Sequence, residues 1–141
     1  MTLTDAEPRF LARHARGHLA TIGPGGTPQV KPLGFSYNAS LGTIDITGWN
    51  MADGAKYRNV RSDPRVAFVV DEVTVPTMEG AHFLEIRGDA ETAVGTYDLD
   101  GHLAPEIIRL RPRRVVGFNV DPARPGFEGR DIGSAGCAEG A

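Results

Sequence analysis

Three basic residues that follow a strand and a turn form the best candidate anion site in this sequence. Residues 43–65 read TIDITGWNMADGAKYRNVRSDPR, an alternating segment that leads through a glycine-containing turn into a short helix with Lys56, Arg58 and Arg61. The first N–H groups of a helix lack intrahelical partners and lie at the positive end of its dipole, so this order of elements predicts a phosphate site. The alternative is a solvated basic face paired with nearby carboxylates, namely Asp53, Asp63 or Glu72.

Two further side chains are candidates for contact with a planar ligand. Trp49 ends the alternating segment and offers a ring for stacking, although an ordinary core or interface aromatic is the alternative that composition favours. Lys31 lies between Val30 and Pro32 in a predicted strand, where it either points at a ligand or protects an edge strand from aggregation. Pro32 itself cannot donate to a ladder, so we expect it at an edge, at a bulge or beside a ligand.

No arrangement of residues typical of a catalytic nucleophile, a Walker loop or a metal site is recognisable. The fragment GPGGTP leads into a strand and not a helix, so it predicts a hairpin turn and not a dinucleotide site. The single cysteine, Cys137, lies in a Gly/Ala-rich tail, and the histidines are scattered at His14, His18, His82 and His102. We therefore predict no catalytic residue and no metal ligand, and an enzyme of this sequence would rely on a bound cofactor.

Length and charge narrow the class of protein. The 141 residues suffice for one domain with one core, and the formal net charge of -3 gives no general attraction to nucleic acid or to an anionic membrane. No segment approaches the roughly 18 apolar residues of a membrane span, and the first ten residues lack the apolar centre of a signal peptide. These features predict a cytoplasmic protein whose partners include neither nucleic acid nor membrane.

The remaining pattern predicts a mainly β (α+β) protein with many short antiparallel strands, a β-barrel and not a parallel sheet. We expect a helix over residues 5–16, and RVAFVVD (65–71) to be a strand buried on both faces. Irregularities are expected at Gly88 and Pro112, and the Pro- and Gly-rich residues after Asp121 predict a flexible or docked tail. The other predicted strands cover residues 18–22, 29–37, 43–49, 82–92 and 107–120.

Five segments in order resemble the pyridoxamine 5′-phosphate oxidase-like split β-barrel proteins. They are GHLATIGPGGTPQVKPLGFSYN, GTIDITGWN, AKYRNVRSDPRVAFVVDE, LEIRGDAE and IIRLRPRRVVGFNVD, and the resemblance covers roughly residues 8–120. It is closest to the actinobacterial class that uses the deazaflavin coenzyme F420, which includes reductases of tetracycline-type pathways. The resemblance implies a six- to seven-stranded antiparallel split barrel with two to three short helices, in a domain of residues 1–121 with a tail at 122–141.

The resemblance also implies a cofactor site. In such proteins the strand equivalent to Gln29, Val30, Lys31 and Pro32 lines the ring, chiefly through its backbone. The strand end equivalent to Thr47, Gly48, Trp49 and Asn50 runs beside the ring and the ribityl chain. Lys56 corresponds to the phosphate-binding lysine, with Asn59 and Arg61 as candidate neighbours, and family members are homodimers with cofactor sites at the subunit interface, which residues 126–133 would reach.

The function implied by the resemblance is hydride transfer from reduced F420 to an electron-poor C=C of a small organic substrate. Ala55 stands before Lys56 where the FMN-binding oxidases carry paired basic residues, which argues against tight binding of the FMN phosphate. The residues that bind pyridoxal phosphate near the C-terminus of the true oxidases are not recognisable, which argues against vitamin B6 oxidation. The alternatives are an FMN-binding oxidoreductase and a non-catalytic flavin- or haem-binding protein. The substrate is not specified by the sequence.

Overall fold

The computed structural model describes residues 3–95 and 103–133, within which two α-helices, three short 3-10 turns and seven strands are formed. Cys137, His102 and the end of the predicted tail lie outside the described residues. In chain order the elements are α1 (Ala6–Ala12), β1 (Arg16–Ile22), β2 (Pro28–Asn38), β3 (Thr43–Thr47), α2 (Ala55–Ser62), β4 (Arg65–Val73), β5 (Ala81–Val94), β6 (Glu106–Phe118) and β7 (Phe127–Asp131). No helix in this part of the chain has the length and hydropathy needed to cross a membrane.

The strands form an antiparallel sheet that closes on itself. Their order is β3-β2-β1-β4-β5-β6-β7, and an additional pairing of β3 with β6 turns the first six strands into a barrel, with β7 as an extra strand. The predicted hairpin of β1 and β2 is present, and its turn requires the positive φ angles of Gly25 (75°) and Gly26 (78°). The fold class predicted from the sequence, an antiparallel split barrel of six to seven strands, is confirmed.

One edge of β6 is shared between two strands. Its residues Ile108–Leu110 pair with β3, whereas Arg114–Phe118 pair with β7. The change falls at a bulge, where the pairing of β5 with β6 shifts register next to Gly88. A Cβ atom at Gly88 would lie 2.1 Å from the carbonyl oxygen of Arg111, so this crossing requires glycine. The irregularities predicted at Gly88 and Pro112 meet here, because the two residues are cross-strand partners.

Burial in β4 differs from the sequence prediction. The prediction that residues 65–71 are buried on both faces is wrong: Val66, Phe68 and Val70 are buried, whereas Ala67 and Val69 are half-buried, since no layer of the described chain covers their face. In strand β3, by contrast, all five residues are buried although its sequence alternates polar and apolar residues. It pairs with β2 on one edge and with β6 on the other, and the burial of all five residues shows that both of its faces are covered as well.

The polar residue at the centre of β3, Asp45, is fully buried and hydrogen-bonded. It accepts from the hydroxyl of Thr43 at 2.8 Å, from Nδ2 of Asn38 at 3.1 Å, and from Nε and Nη2 of Arg109 at 3.0 Å each. A buried carboxylate is tolerated when its charge is paired and its oxygens accept hydrogen bonds. The ion pair therefore joins β3 to β6 at the point where the barrel closes.

A second ion pair connects the two ends of the described chain. Helix α1 is shorter than the predicted 5–16, because the N–H groups of Arg13 and His14 close its last turn on Phe10 and Leu11 and the chain then enters β1. Glu7 in this helix accepts two hydrogen bonds from Arg130 of β7, at 2.6 and 2.7 Å. Residues 127–131, predicted as part of a tail, thus form a strand whose arginine fixes the first helix.

Candidate functional site

The barrel opens where β2 and β3 separate. Their pairing ends at Gly34 and Thr47, whereas β2 continues back to Pro28 with β1 as its partner on the other side. In the described part of the chain no strand pairs with this edge of residues 28–33, and residues 47–50 follow the point where β3 leaves β2. We call these two segments the fork. They contain eight of the residues that the family resemblance assigns to cofactor binding, namely Gln29, Val30, Lys31, Pro32, Thr47, Gly48, Trp49 and Asn50.

Both arms of the fork present exposed groups. Val30 is 61% exposed and Trp49 is 72% exposed, so Trp49 is not a core residue. Thr47 is buried, and the carbonyl of Gly48 accepts a hydrogen bond from the N–H of Ala104. Asn50 has a φ of 129°, a conformation that residues other than glycine rarely adopt and that is more common at functional sites than elsewhere.

Lys31 of the fork lies near Lys56 at the start of α2. Lys56 is half-buried, and burial together with the positive charge of Lys31 lowers its pKa. Its Nζ atom lies close to Gly54, the residue before the helix. A Cβ atom added to Gly54 would be 3.7 Å from this Nζ atom. Within residues 3–95 and 103–133 neither lysine has a carboxylate partner. Two unpaired cations next to free helix N–H groups favour an anion.

The other basic residues of α2 are placed differently. Arg58 donates to the carbonyl oxygen of Asp53 at 2.8 Å, and Arg61 is exposed without a carboxylate partner in the described chain. Of the carboxylates considered as partners from the sequence, Asp63 pairs with Arg65 and Glu72 with Arg13. The structure therefore brings Lys31 and Lys56 together, but not Arg61.

Asn59 is buried, and its side chain holds helix α2 in position. Its Nδ2 atom donates to Oγ1 of Thr21 and to Oε1 of Gln29, each at 2.9 Å, so both N–H groups of the amide are used. These bonds fix α2 against the hairpin of β1 and β2.

Sequence reasoning missed the cleft of about 710 Å³ between the hairpin turn and this face of α2, which is lined by the turn glycines together with Gln29, Arg58, Asn59 and Ser62. The signal in the sequence was the spacing of Ala55, Arg58, Asn59 and Ser62 along one helical face.

The donor set at the fork is compatible with a planar ring that carries a phosphate. Lys31, Lys56 and the start of α2 offer positive charge, and the free edge of β2 offers backbone groups to a flat ligand. A closed six-stranded antiparallel barrel with such a fork is a split β-barrel. The sequence profile of the pyridoxamine 5′-phosphate oxidase family matches residues 3–123, and the chain belongs to this family.

Comparisons with individual proteins agree with this assignment. The chain is 37% identical over 134 residues to a 5a,11a-dehydrotetracycline/5a,11a-dehydrooxytetracycline reductase of Streptomyces rimosus, and the match covers 94% of each chain. Among solved structures, an F420 reductase superposes with a TM-score of 0.55 at 26% identity, covering 72% of this chain and 88% of that one. A conserved hypothetical protein of Mycobacterium tuberculosis shares the fold with a TM-score of 0.68 at 22% identity, covering 96% of both chains.

Proposed function

We propose that this protein is an F420-dependent reductase that acts on an electron-poor C=C of a small organic substrate. The observation that carries the proposal is the 37% identity to a dehydrotetracycline reductase over nearly the whole of both chains. The similarity to an F420 reductase structure supports the choice of cofactor. When bound, F420 supplies hydride chemistry, so the chain itself needs no strong acid or base at the reacting atoms.

The residues of the fork and of α2 have separate tasks in this proposal. Lys56, Lys31 and the start of α2 hold the phosphate, and Asn59 holds α2 in place through Gln29 and Thr21. The free edge of β2 from Gln29 to Pro32 contacts the ring, and Thr47, Gly48, Trp49 and Asn50 cover the other side of the opening. Arg61 is near enough in sequence to contribute charge, but the described structure gives it no contact with Lys56.

The active form is proposed to be a homodimer in the cytoplasm. The half-buried outer face of β4 borders a groove of about 290 Å³ lined by Ala20, Val30, Ala67, Val69 and Phe83, next to the fork. A second copy packed there would cover Ala67 and Val69, which the single chain leaves partly exposed. Light scattering after size-exclusion chromatography measures the mass directly, and a monomer at micromolar concentration would contradict the dimer.

Titration with F420 and with FMN tests the choice of cofactor. We expect F420 to bind in the micromolar range or tighter and FMN more weakly, as measured by cofactor fluorescence. Turnover is then measured with reduced F420 and a panel of electron-poor alkenes, including a dehydrotetracycline. Tighter binding of FMN would favour an FMN oxidoreductase, tight binding without turnover a non-catalytic carrier, and no binding of either cofactor would exclude the enzyme.

Replacing Lys56 by methionine should weaken cofactor binding. The loss of a charge-assisted contact with the phosphate is expected to cost about 1.5–3 kcal/mol of binding free energy, roughly ten- to 150-fold in Kd. Arg124→Met is the matched control, because Arg124 lies in the loop between β6 and β7, pairs with Glu128 and is exposed. An unchanged Kd for Lys56→Met would identify Lys56 as a residue of a solvated face.

The lowered pKa of Lys56 predicts a separate effect of the same variant on stability. Because folding lowers the pKa of Lys56, the charged form is disfavoured in the folded state at neutral pH. Lys56→Met should therefore be as stable as the wild type or more stable in urea at pH 7. Any gain should shrink as the pH rises through the lowered pKa, where wild-type Lys56 loses its proton.

A further inference from the structure

The groove of about 290 Å³ next to the fork contains two polar side chains. Its lining is apolar from Val30 of the fork to Phe83 of β5, apart from the titratable groups His18 and Glu85. Because Val30 belongs to the fork, the groove begins where the cofactor ring lies in the proposed function. A small substrate in this groove is therefore next to the ring and to these two groups.

The register of β1 determines where His18 lies. Its neighbours along the strand, such as Leu19 and Thr21, alternate between the buried and the outer face, and His18 is exposed on the outer face. His18 pairs with Pro32 of the fork on one side and with Val69 of β4 on the other. The Cβ atoms of cross-strand partners are about 4.5–5.5 Å apart, so the imidazole lies beside the fork.

The two titratable groups of the groove differ in their contacts. Both carboxylate oxygens of Glu85 accept from Arg87, at 2.9 and 3.1 Å. The imidazole of His18 has no hydrogen-bonding partner in the described part of the chain. Around it on the same face, β1 carries Arg16 and β4 carries Asp71, and the adjacent residues of β2 are uncharged. The ring nitrogens of His18 are therefore available to a ligand.

Reduction of an electron-poor C=C needs a proton as well as a hydride. When the hydride adds to one carbon, the electron pair of the π bond moves to the other carbon and its electron-withdrawing group. That carbon must take up a proton before the saturated product is complete. A weak acid is sufficient for such a stabilised carbanion, and imidazole changes its charge within the physiological pH range.

We propose that His18 donates this proton, and that the substrate lies in the groove between Val30 and Phe83. The assignment rests on the proposed function, because the hydride comes from reduced F420. One carbon of the C=C receives the hydride from the side of the fork, and the other receives the proton from an N–H of the imidazolium. The neutral imidazole regains a proton from water, and the two electrons that reduce the C=C come from the cofactor.

His18→Gln tests the proton transfer, since glutamine keeps a polar side chain but is not an acid. With reduced F420 and either a dehydrotetracycline or cyclohex-2-enone, we expect kcat to fall at least tenfold and the Kd for F420 to change less than twofold. In the wild type, kcat should decrease as the pH rises from about 6 to 8, because only the imidazolium donates. This decrease should be absent in His18→Gln, and an equal kcat with the same pH profile would overturn the assignment.

Histidine NMR gives a readout that does not depend on turnover. In protein loaded with oxidised F420, tetracycline and cyclohexanone are ligands that are already reduced. We expect them to shift the ring signals of His18 but not those of His14, whose nitrogens contact the carbonyl of Phe10 and the carboxylate of Glu72. Binding without a shift at His18, or no binding in the millimolar range, would overturn the assignment.

Further variants separate this assignment from its alternatives. Glu85→Gln should keep the decrease of kcat with pH, and its loss in this variant would identify Glu85 as the donor instead. His18→Gln should have the thermal unfolding midpoint and the mass of the wild type, and a change of mass in light scattering would place His18 in a subunit interface. If His18→Gln reduces the alkenes as fast as the wild type, the assignment fails and the proposed function stands. If neither F420 nor FMN binds, the proposed function fails and the assignment with it.

Discussion

Replacing Arg109 by methionine is expected to destabilise the protein by about 3–5 kcal/mol. The variant removes both hydrogen bonds from Arg109 to Asp45, a carboxylate whose side chain has 0% exposure. The hydroxyl of Thr43 and the amide of Asn38 remain, but they do not neutralise the buried charge. Urea unfolding measures the loss as a lower midpoint with an unchanged m-value.

Two further variants decide whether the buried charge is the cause. Arg111→Met, two residues along β6, removes an exposed pair with Glu91 and should cost less than about 1 kcal/mol. The double variant Asp45→Asn with Arg109→Met also removes the buried charge and should recover more than half of the lost stability. A double variant as unstable as the single one would show that packing of the Arg109 side chain, and not charge, is responsible.

Arg130→Met should destabilise the protein by a similar amount, about 3–5 kcal/mol, because Glu7 is 5% exposed and loses both hydrogen bonds from Arg130. Arg114→Met is the matched control on the same pair of strands, where the partner Asp131 is exposed, and we expect a loss below about 1 kcal/mol. Equal effects of the two variants in urea unfolding would contradict a special role for the Glu7–Arg130 pair.

The pH dependence of Arg130→Met has a defined sign. Burial alone would raise the pKa of Glu7, but hydrogen bonds from Arg130 and from the N–H of Thr4 hold it below the usual value. This contribution to stability is complete above the unfolded pKa and is lost as the pH falls through the folded one. The difference between wild type and Arg130→Met should therefore be largest near pH 7 and decrease toward pH 3, as measured by urea unfolding across this range.

The sequence predicted the barrel well because its strands are separated by turns with clear chemistry. The GPGGTP turn and the alternation of Leu84, Ile86 and Ala90 locate strands without any tertiary information. Strand β7 was missed because the surrounding residues are rich in proline and glycine, and it depends on β6 for pairing and on Glu7 for fixing Arg130. The local sequence pattern carries no information about such long-range partners.

The candidate site at the fork and the start of α2 was predictable in part, because some of its residues have a local signal in the sequence. A basic site at the start of α2 follows from the order of strand, turn and helix, the family resemblance selects Lys56 within it, and Pro32 indicates an interrupted ladder. The approach of Lys31 to Lys56 joins residues of β2 and α2, and the hydrogen bonds of Asn59 join α2 to the β1–β2 hairpin. These contacts depend on how the helix packs over the end of the barrel, and so they required the structure.

The shared edge of β6 also has a consequence for folding kinetics. Closing the barrel joins Asp45 to Arg109 across 64 residues of chain, whereas the hairpins form between near neighbours. Loop-closure entropy is lost before such a distant pairing gains any contacts, so sheets of this topology fold slowly. We expect the β3–β6 seam to form late, and mutations along it to accelerate unfolding more than they slow refolding.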